Sequence, residues 1–234
     1  MVYLDYSATT PTNEEVLDSF INCTRRYIGN PNSLHKLGVD SNHLINSCTK
    51  QIKELLHIDH DVIYTSGASE SNNLAIKGIA LKYQNRGKNI ITTRLEHSSI
   101  YGPLEYLERL GFNIKYVNLT NDGLVDINHL KELMDNETIL VSINAVNSEI
   151  GIKQPIDEIG LIINNYPKCY FHVDMTQAIG KINIPLDNVD LASFSPHKFY
   201  GIKGIGVLLK KNKIELEPLI HLLLIIEVVH QQYL

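Results

Sequence analysis

A chain of 234 residues, 44% of them hydrophobic, can bury the core of one large α/β domain or two small ones. Its net charge of -5 excludes the cation-rich surface that a nucleic-acid binder needs, so a small-molecule ligand is expected instead. The three cysteines, Cys23, Cys48 and Cys169, are an odd number without metal-type spacing, which indicates neither a disulfide framework nor a zinc site and points to a reducing compartment.

The first residues, "MVYLDYSATTP", lack the basic and apolar stretches of a secretory signal, so the cytoplasm is the expected location. Two helical patterns follow, "NEEVLDSFINCTRRYIG" and "SNHLINSCTKQIKELLH", joined by the turn-rich "GNPNSLHKLG". They make residues 1–58 an N-terminal helical approach to the main domain. From residue 59 onward, short β-branched runs alternate with longer helical ones. Strands are predicted at 61–65, 89–93, 113–119, 138–144, 169–174, 189–194 and 205–210. Helices are predicted between them at 69–84, 98–111, 126–134 and 155–166. This alternation predicts an α/β fold over 59–221, a mainly parallel seven-stranded sheet with helices on both faces. The short connections after residue 169 allow some antiparallel pairs there. The apolar run "LIHLLLIIEVV" at 219–229 is shorter than the roughly 20 residues of a membrane span and contains His221 and Glu227, so no membrane segment is expected.

Ligands of open α/β sheets sit beyond the carboxyl ends of the strands, which directs attention to the residues just after each one. "SGASESNN" follows the first: the N–H groups of Gly67, Ala68 and Ser69 open a helix and offer an anion seat, although an ordinary serine N-cap fits the same residues. The Gly-Lys-Ser/Thr ending of a Walker loop is missing. His97 follows the second strand and Asn147 the fourth; a histidine at such a junction and an Asn/Gly turn are each commonly structural. Asp174 ends the fifth strand, with Gln177 three positions on. A buried carboxylate there is costly alone, so a cation is expected opposite it. Ser195, His197 and Lys198 in "SPHKFYG" follow the sixth. A lysine near other cations in a partly dry site loses its proton more readily and becomes a nucleophile. A metal site of His97, His172 and Asp174 is disfavoured, because no helical histidine pair completes it. Taken together, an anion seat, an acid, a donor, a flat ring partner and a lysine are the parts that pyridoxal 5'-phosphate requires.

The stretches "YLDYSATTP", "GNPNSLHKLG", "TSGASESNNLAIKG", "EHSSI", "NAVNSEIGIKQPI", "FHVDMTQAIGK" and "SPHKFYGIKGIG" occur in this order. On them the chain resembles the cysteine desulfurases, class V aminotransferase-like enzymes of pyridoxal-phosphate fold-type I. The resemblance implies that Lys198 holds the cofactor covalently, that Asp174 keeps its pyridine nitrogen protonated, and that His97 stacks on the ring and moves protons. It implies that Gln177 bonds the ring hydroxyl, that Ser69, Ser195 and His197 hold the phosphate with the backbone of Gly67 and Ala68, and that Asn147 lies near the substrate carboxylate. Lys198 and His97 are then the catalytic residues.

The activity implied is conversion of L-cysteine to L-alanine, with sulfur passing to a protein cysteine for iron-sulfur cluster or tRNA thiolation pathways. Family members are homodimers that serve a sulfur-acceptor protein. A selenocysteine lyase, a class V aminotransferase and a non-catalytic cofactor-binding fragment stand as alternatives. The chain departs from the family's usual spelling at Ser69 (commonly Thr), at Tyr6 and Ser7 (commonly Asn-Ala) and at Ser148 (commonly Asn). After "EPLIH" the family continues into a small C-terminal domain with the sulfur-accepting cysteine and a substrate-binding arginine. Here "LLLIIEVVHQQYL" follows instead. A truncated or frameshifted product of impaired activity is therefore expected, missing the small domain and ending in an aberrant apolar tail at 222–234. Cys23, Cys48 and Cys169 are expected to be structural.

Overall fold

A computed structural model describes residues 2–220. The expected aberrant tail, 222–234, lies outside them. The chain opens with α1 (Glu14–Arg26) and α2 (Lys36–Leu56). There follow β1 (His60–Thr65), α3 (Ala68–Tyr83), β2 (Asn89–Thr92), α4 (Ser98–Arg109), β3 (Asn113–Tyr116) and α5 (Ile127–Leu133). β4 (Thr138–Asn144), α6 (Ile156–Ile163), β5 (Tyr170–Asp174), β6 (Leu191–Phe194), a short 3-10 turn at Pro196–Lys198 and β7 (Gly206–Lys211) complete it. All seven strands form where the sequence pattern puts them.

Local chemistry explains the helix boundaries. The Asn13 side chain caps α1 by accepting from the N–H groups of Glu15 and Val16, while Glu14 and Glu15 at its start and Arg25 and Arg26 at its end complement the helix dipole. α2 begins earlier than its pattern suggests, at Lys36, because His35 caps it: the His35 Nδ1 accepts from the Gly38 N–H at 3.3 Å. Gly38, a turn residue by sequence, is instead inside the helix. A Cβ there would lie 2.2 Å from the Ser33 carbonyl oxygen, so only glycine admits this close approach.

The sheet order is β1-β7-β6-β5-β4-β2-β3. β2 pairs parallel with β3 and β4, and β4, β5 and β6 pair parallel in turn. β7 runs antiparallel to both β6 and β1, which matches the short connections there. Six strands therefore point the same way, and their carboxyl ends share one edge with the amino end of β7. Chain order reverses between β2 and β4, the kind of switch point at which a crevice opens.

Alternation along the strands fills both faces. Ile90, Leu140, Leu191 and Leu208 pack against α3 and α4, whereas Ile91, Val141, Ala192 and Leu209 pack against α5 and α6. β4, flanked on both sides, is buried at every residue. Among the described residues, no helix is long and apolar enough to cross a membrane.

The site edge is pinned at Gly206. A Cβ added there would meet the Gly67 carbonyl carbon at 2.3 Å and the Thr65 Oγ1 at 2.5 Å. Gly206→Ala must push the Gly67 loop away from β7. We expect a stability loss of about 1–3 kcal/mol by overpacking, measured by urea denaturation.

Candidate cofactor site

A cavity of about 760 Å³ opens at the shared strand edge. Gly67, Ala68, Ser69, His97, Asn147, Asp174, Gln177, Ser195, His197 and Lys198, the ten site residues expected from sequence, all line it. They arrive from the ends of β1, β2, β4, β5 and β6. Such convergence is what a parallel sheet provides and what spacing along the chain does not reveal.

One wall comes from the N-terminus. Residues 5–13 cross the loop after β6: the Thr10 N–H donates to the His197 carbonyl at 2.9 Å, and the Thr10 Oγ1 accepts from the Tyr200 N–H at 2.7 Å. Asn13 N–H donates to the Tyr200 carbonyl, which helps hold Tyr200 at its unusual φ of 67°. The Ser7 carbonyl then accepts from both the Lys198 Nζ, at 2.6 Å, and the Gln177 Nε2, at 2.8 Å. Because Ser7 contributes its main chain, a departure from the usual side chain there leaves this bond intact.

Lys198 is half-buried. Burial and then the positive charge of Lys181 push its pKa down, against opposing pulls from Asp174 and Asp5. The resulting bias is toward the nucleophilic free amine. Lys181 in turn donates from Nζ to the Gln177 Oε1 at 3.0 Å.

Asp174 is 6% exposed. Among the described residues Asp174 forms no direct ion pair: Oδ2 accepts from the Asn72 Nδ2 at 2.8 Å and Oδ1 from the Thr176 N–H at 2.9 Å, while the expected cation, Lys198, shares the cavity and feels the Asp174 charge across it. Neutral N–H donors lower the cost of burying the carboxylate without an ion pair. Beneath it, His172 is enclosed between the hydroxyls of Ser142 and Ser193, each 2.9 Å from a ring nitrogen. Burial drives the His172 pKa down to about 4, although Asp174 pulls it up. With both nitrogens engaged, His172 is no metal ligand, and among the described residues no group of three or more His, Cys, Asp or Glu converges as a metal site would.

His97 caps α4, its Nδ1 accepting from the Ser99 N–H at 3.1 Å and lying 2.8 Å from the Ser99 Oγ. The loop carrying it hangs on Glu96, whose Oε1 accepts from the Thr93 hydroxyl at 2.7 Å and the Asn144 N–H at 3.1 Å. Burial raises the Glu96 pKa to about 8, with the charge of Asp174 adding to the rise against these bonds. Asn147 is largely committed to its own loop: Oδ1 accepts from the N–H groups of Glu149 and Ile150, and Nδ2 donates to the Leu95 carbonyl.

At the other end, Gly67 caps α3 without a side-chain bond. Ala68 and Ser69 thus present helix-start N–H groups to the cavity, a seat suited to an anion. His197 and Lys203 stand near it; burial, Lys198 and Lys203 all push the His197 pKa down. Ser195 directs its hydroxyl at the Ile205 carbonyl, 2.7 Å away, so serving an anion requires that hydroxyl to turn. The anion seat, the acid and the lysine thus share one cavity of ligand size, and this donor set fits pyridoxal phosphate.

Asn72, Glu96, Ser99, Thr9 and Lys181 were not identified from the sequence. Asn72 carried a signal, since asparagine is unfavourable within a helix and earns its place only through specific bonds. The cysteines lie elsewhere: Cys169 is buried, its thiol pushed up by burial, while Cys23 is partly exposed. Cys48 is exposed.

The fold is that of the large domain of fold-type I pyridoxal-phosphate enzymes. It matches a solved structure described as a NifS-like protein with a TM-score of 0.90 and 37% identity, over 94% of this chain and 61% of that one. It also matches "SspA in complex with cysteine" with a TM-score of 0.88 and 35% identity, over 94% of this chain and 65% of that one. The profile of the class V aminotransferases matches residues 2–232, and the chain belongs to that family. Over 228 residues it is 46% identical to cysteine desulfurase IscS of Buchnera aphidicola subsp. Acyrthosiphon pisum, covering 94% of this chain and 56% of that protein. The chain thus spans little more than half the length of that relative.

Glu96 makes stability depend on pH. Its folded pKa of about 8 exceeds the ordinary 4.5, so the folded state holds a proton that the unfolded chain releases. The stabilisation is complete below about 4.5 and is lost as pH rises through about 8. Glu96→Gln keeps a neutral side chain at every pH. Thermal melts from pH 5 to 9 should show a shallower decline in Tm for the variant than for the parent.

Proposed function

We propose that the chain binds pyridoxal 5'-phosphate and activates L-cysteine in the manner of a cysteine desulfurase. The observation that carries this reading is the cavity itself, in which Lys198, Asp174 and the start of α3 face one another. Two relatives support it, one a desulfurase and another solved with cysteine.

In this reading residues 59–221 carry the cofactor and residues 1–58 close one side of the site. Ala68, Ser69 and His197 hold the phosphate, with Ser195 once its hydroxyl turns. Asp174 would accept the hydrogen of the pyridine nitrogen, and His97 would lie against the ring. Gln177 would turn its amide from the Ser7 carbonyl to the ring hydroxyl, and Asn147 would lie near the substrate carboxylate. When bound, the cofactor supplies an electron sink for the pair released at the substrate Cα. Lys198, released from the Ser7 carbonyl, would hold the cofactor through its aldehyde, and its Nζ is placed to take up the Cα proton.

Desulfuration also needs a thiol. Its sulfur forms an S–S bond to the substrate sulfur as the Cβ–S bond breaks, giving alanine and a persulfide. None of Cys23, Cys48 and Cys169 lines the cavity, so we assign this role to a thiol other than these three. Turnover is then impaired unless such a thiol is supplied. A sulfur-acceptor protein and a second copy of the chain belong to the same proposal.

The test is to purify the chain with pyridoxal phosphate, record its visible spectrum, and measure alanine and sulfide released from L-cysteine with dithiothreitol as the thiol. A lysine-bound cofactor band is expected in the parent and its loss in Lys198→Ala, with alanine release falling at least about 100-fold. A parent protein without the band would overturn the proposal.

A further inference from the structure

Asp174 and His97 lie on different elements, at the end of β5 and the start of α4. Between them stands Asn72 of α3, 0% exposed. Its Nδ2 donates one hydrogen to the Asp174 Oδ2 at 2.8 Å and the other to the Ser99 Oγ at 2.9 Å. The Ser99 Oγ lies 2.8 Å from the His97 Nδ1.

We propose that Asn72 and Ser99 are positioning residues: a single hydrogen-bonded chain from Asp174 to His97 that holds the imidazole with Nδ1 as acceptor and its proton on Nε2. The role assigned to this chain rests on the proposed cofactor site; its geometry does not.

The direction of every bond follows from its first member. A carboxylate offers only lone pairs, so Asn72 must turn its NH2 group, not its oxygen, toward Asp174. The same nitrogen reaches Ser99, whose Oγ therefore accepts. The serine hydroxyl hydrogen is left for the His97 Nδ1, which also receives the Ser99 N–H. Two donors aimed at Nδ1 leave no place for a proton there, so the ring carries it on Nε2. The cost is visible at the other end of the amide: the Asn72 Oδ1 is buried and has no hydrogen-bond partner among the described residues. An amide placed only to complete the core would not sacrifice its acceptor in this way. In function, the chain keeps His97 presenting a fixed donor edge to a bound cofactor, while the carboxylate that starts the chain would face its pyridine nitrogen.

The test reads the ring directly, in protein without cofactor, by 15N NMR of histidine-labelled chain with the His97 signals assigned by their loss in His97→Gln. The parent should show an unprotonated, hydrogen-bonded Nδ1 and a protonated Nε2. Ser99→Ala and Asn72→Leu should move the Nδ1 resonance toward that of a solvent-exposed imidazole and raise the Nδ1-protonated form, whereas Ser99→Thr, which keeps the hydroxyl, should restore the parent pattern. A proton on Nδ1 in the parent would overturn the proposal, as would unchanged His97 resonances in a folded Ser99→Ala. The parent and Ser99→Ala decide the matter even if Asn72→Leu does not fold. Because no cofactor is present, failure here is distinct from failure to form the lysine-bound band.

Discussion

The organisation of the site depends on placing one carboxylate, Asp174, where the buried end of β5 meets the cavity. A carboxylate in that position is tolerable only with donors at hand and without a second negative charge beside it. Asn72 and the Thr176 N–H supply the donors. Its buried titratable neighbours are held neutral near pH 7: His172 by a pKa pushed down to about 4, Glu96 by one pushed up to about 8. The interior has been cleared of competing charge so that a single acid can face a ligand.

Lys198 is the counterpart on the opposite terms. It is half-buried, with Lys181 near, and both conditions favour the uncharged amine. What holds it is a main-chain oxygen, the Ser7 carbonyl, delivered by a segment about 190 residues away in the chain. A carbonyl acceptor is a gentler partner than a carboxylate. It orients the amine without the strong stabilisation of the ammonium form that an ion pair would bring. The same carbonyl engages Gln177, and Gln177 engages Lys181, so the N-terminal wall ties together the groups that tune the lysine.

How legible the site was depended on the range of the interaction. Lys198, His97 and Gly67 could be found because each follows a β-branched run, and a strand end in a parallel sheet is a place where ligands bind. The partner of Asp174 could not. Charge arithmetic points to a cation, which Lys198 supplies across the cavity, whereas the direct hydrogen-bond partner is an asparagine 102 positions earlier in the chain. Glu96 was equally hidden: beside His97 in the sequence it looks like a solvated acid, and only its burial, against the Asn144 N–H, makes it neutral. Gly38 was misread for the reverse reason, since a glycine after a turn-rich stretch looks like the end of that stretch rather than a contact inside the first turn of α2.

The sequence by itself determined the seven strands, the covering helices and the family, because hydrophobic periodicity is local and the motifs are contiguous strings. It also supplied ten of the residues that line the cavity. The tertiary structure alone decided how those residues are partnered: that Asp174 meets Asn72, that Lys198 meets the Ser7 carbonyl, that His172 is locked between two serines. Such pairings depend on which strand ends become neighbours across the sheet, and neighbouring strands here are separated by up to about 150 residues of chain, as β1 and β7 are. Periodicity carries no information over that distance; the order of strands in the sheet does.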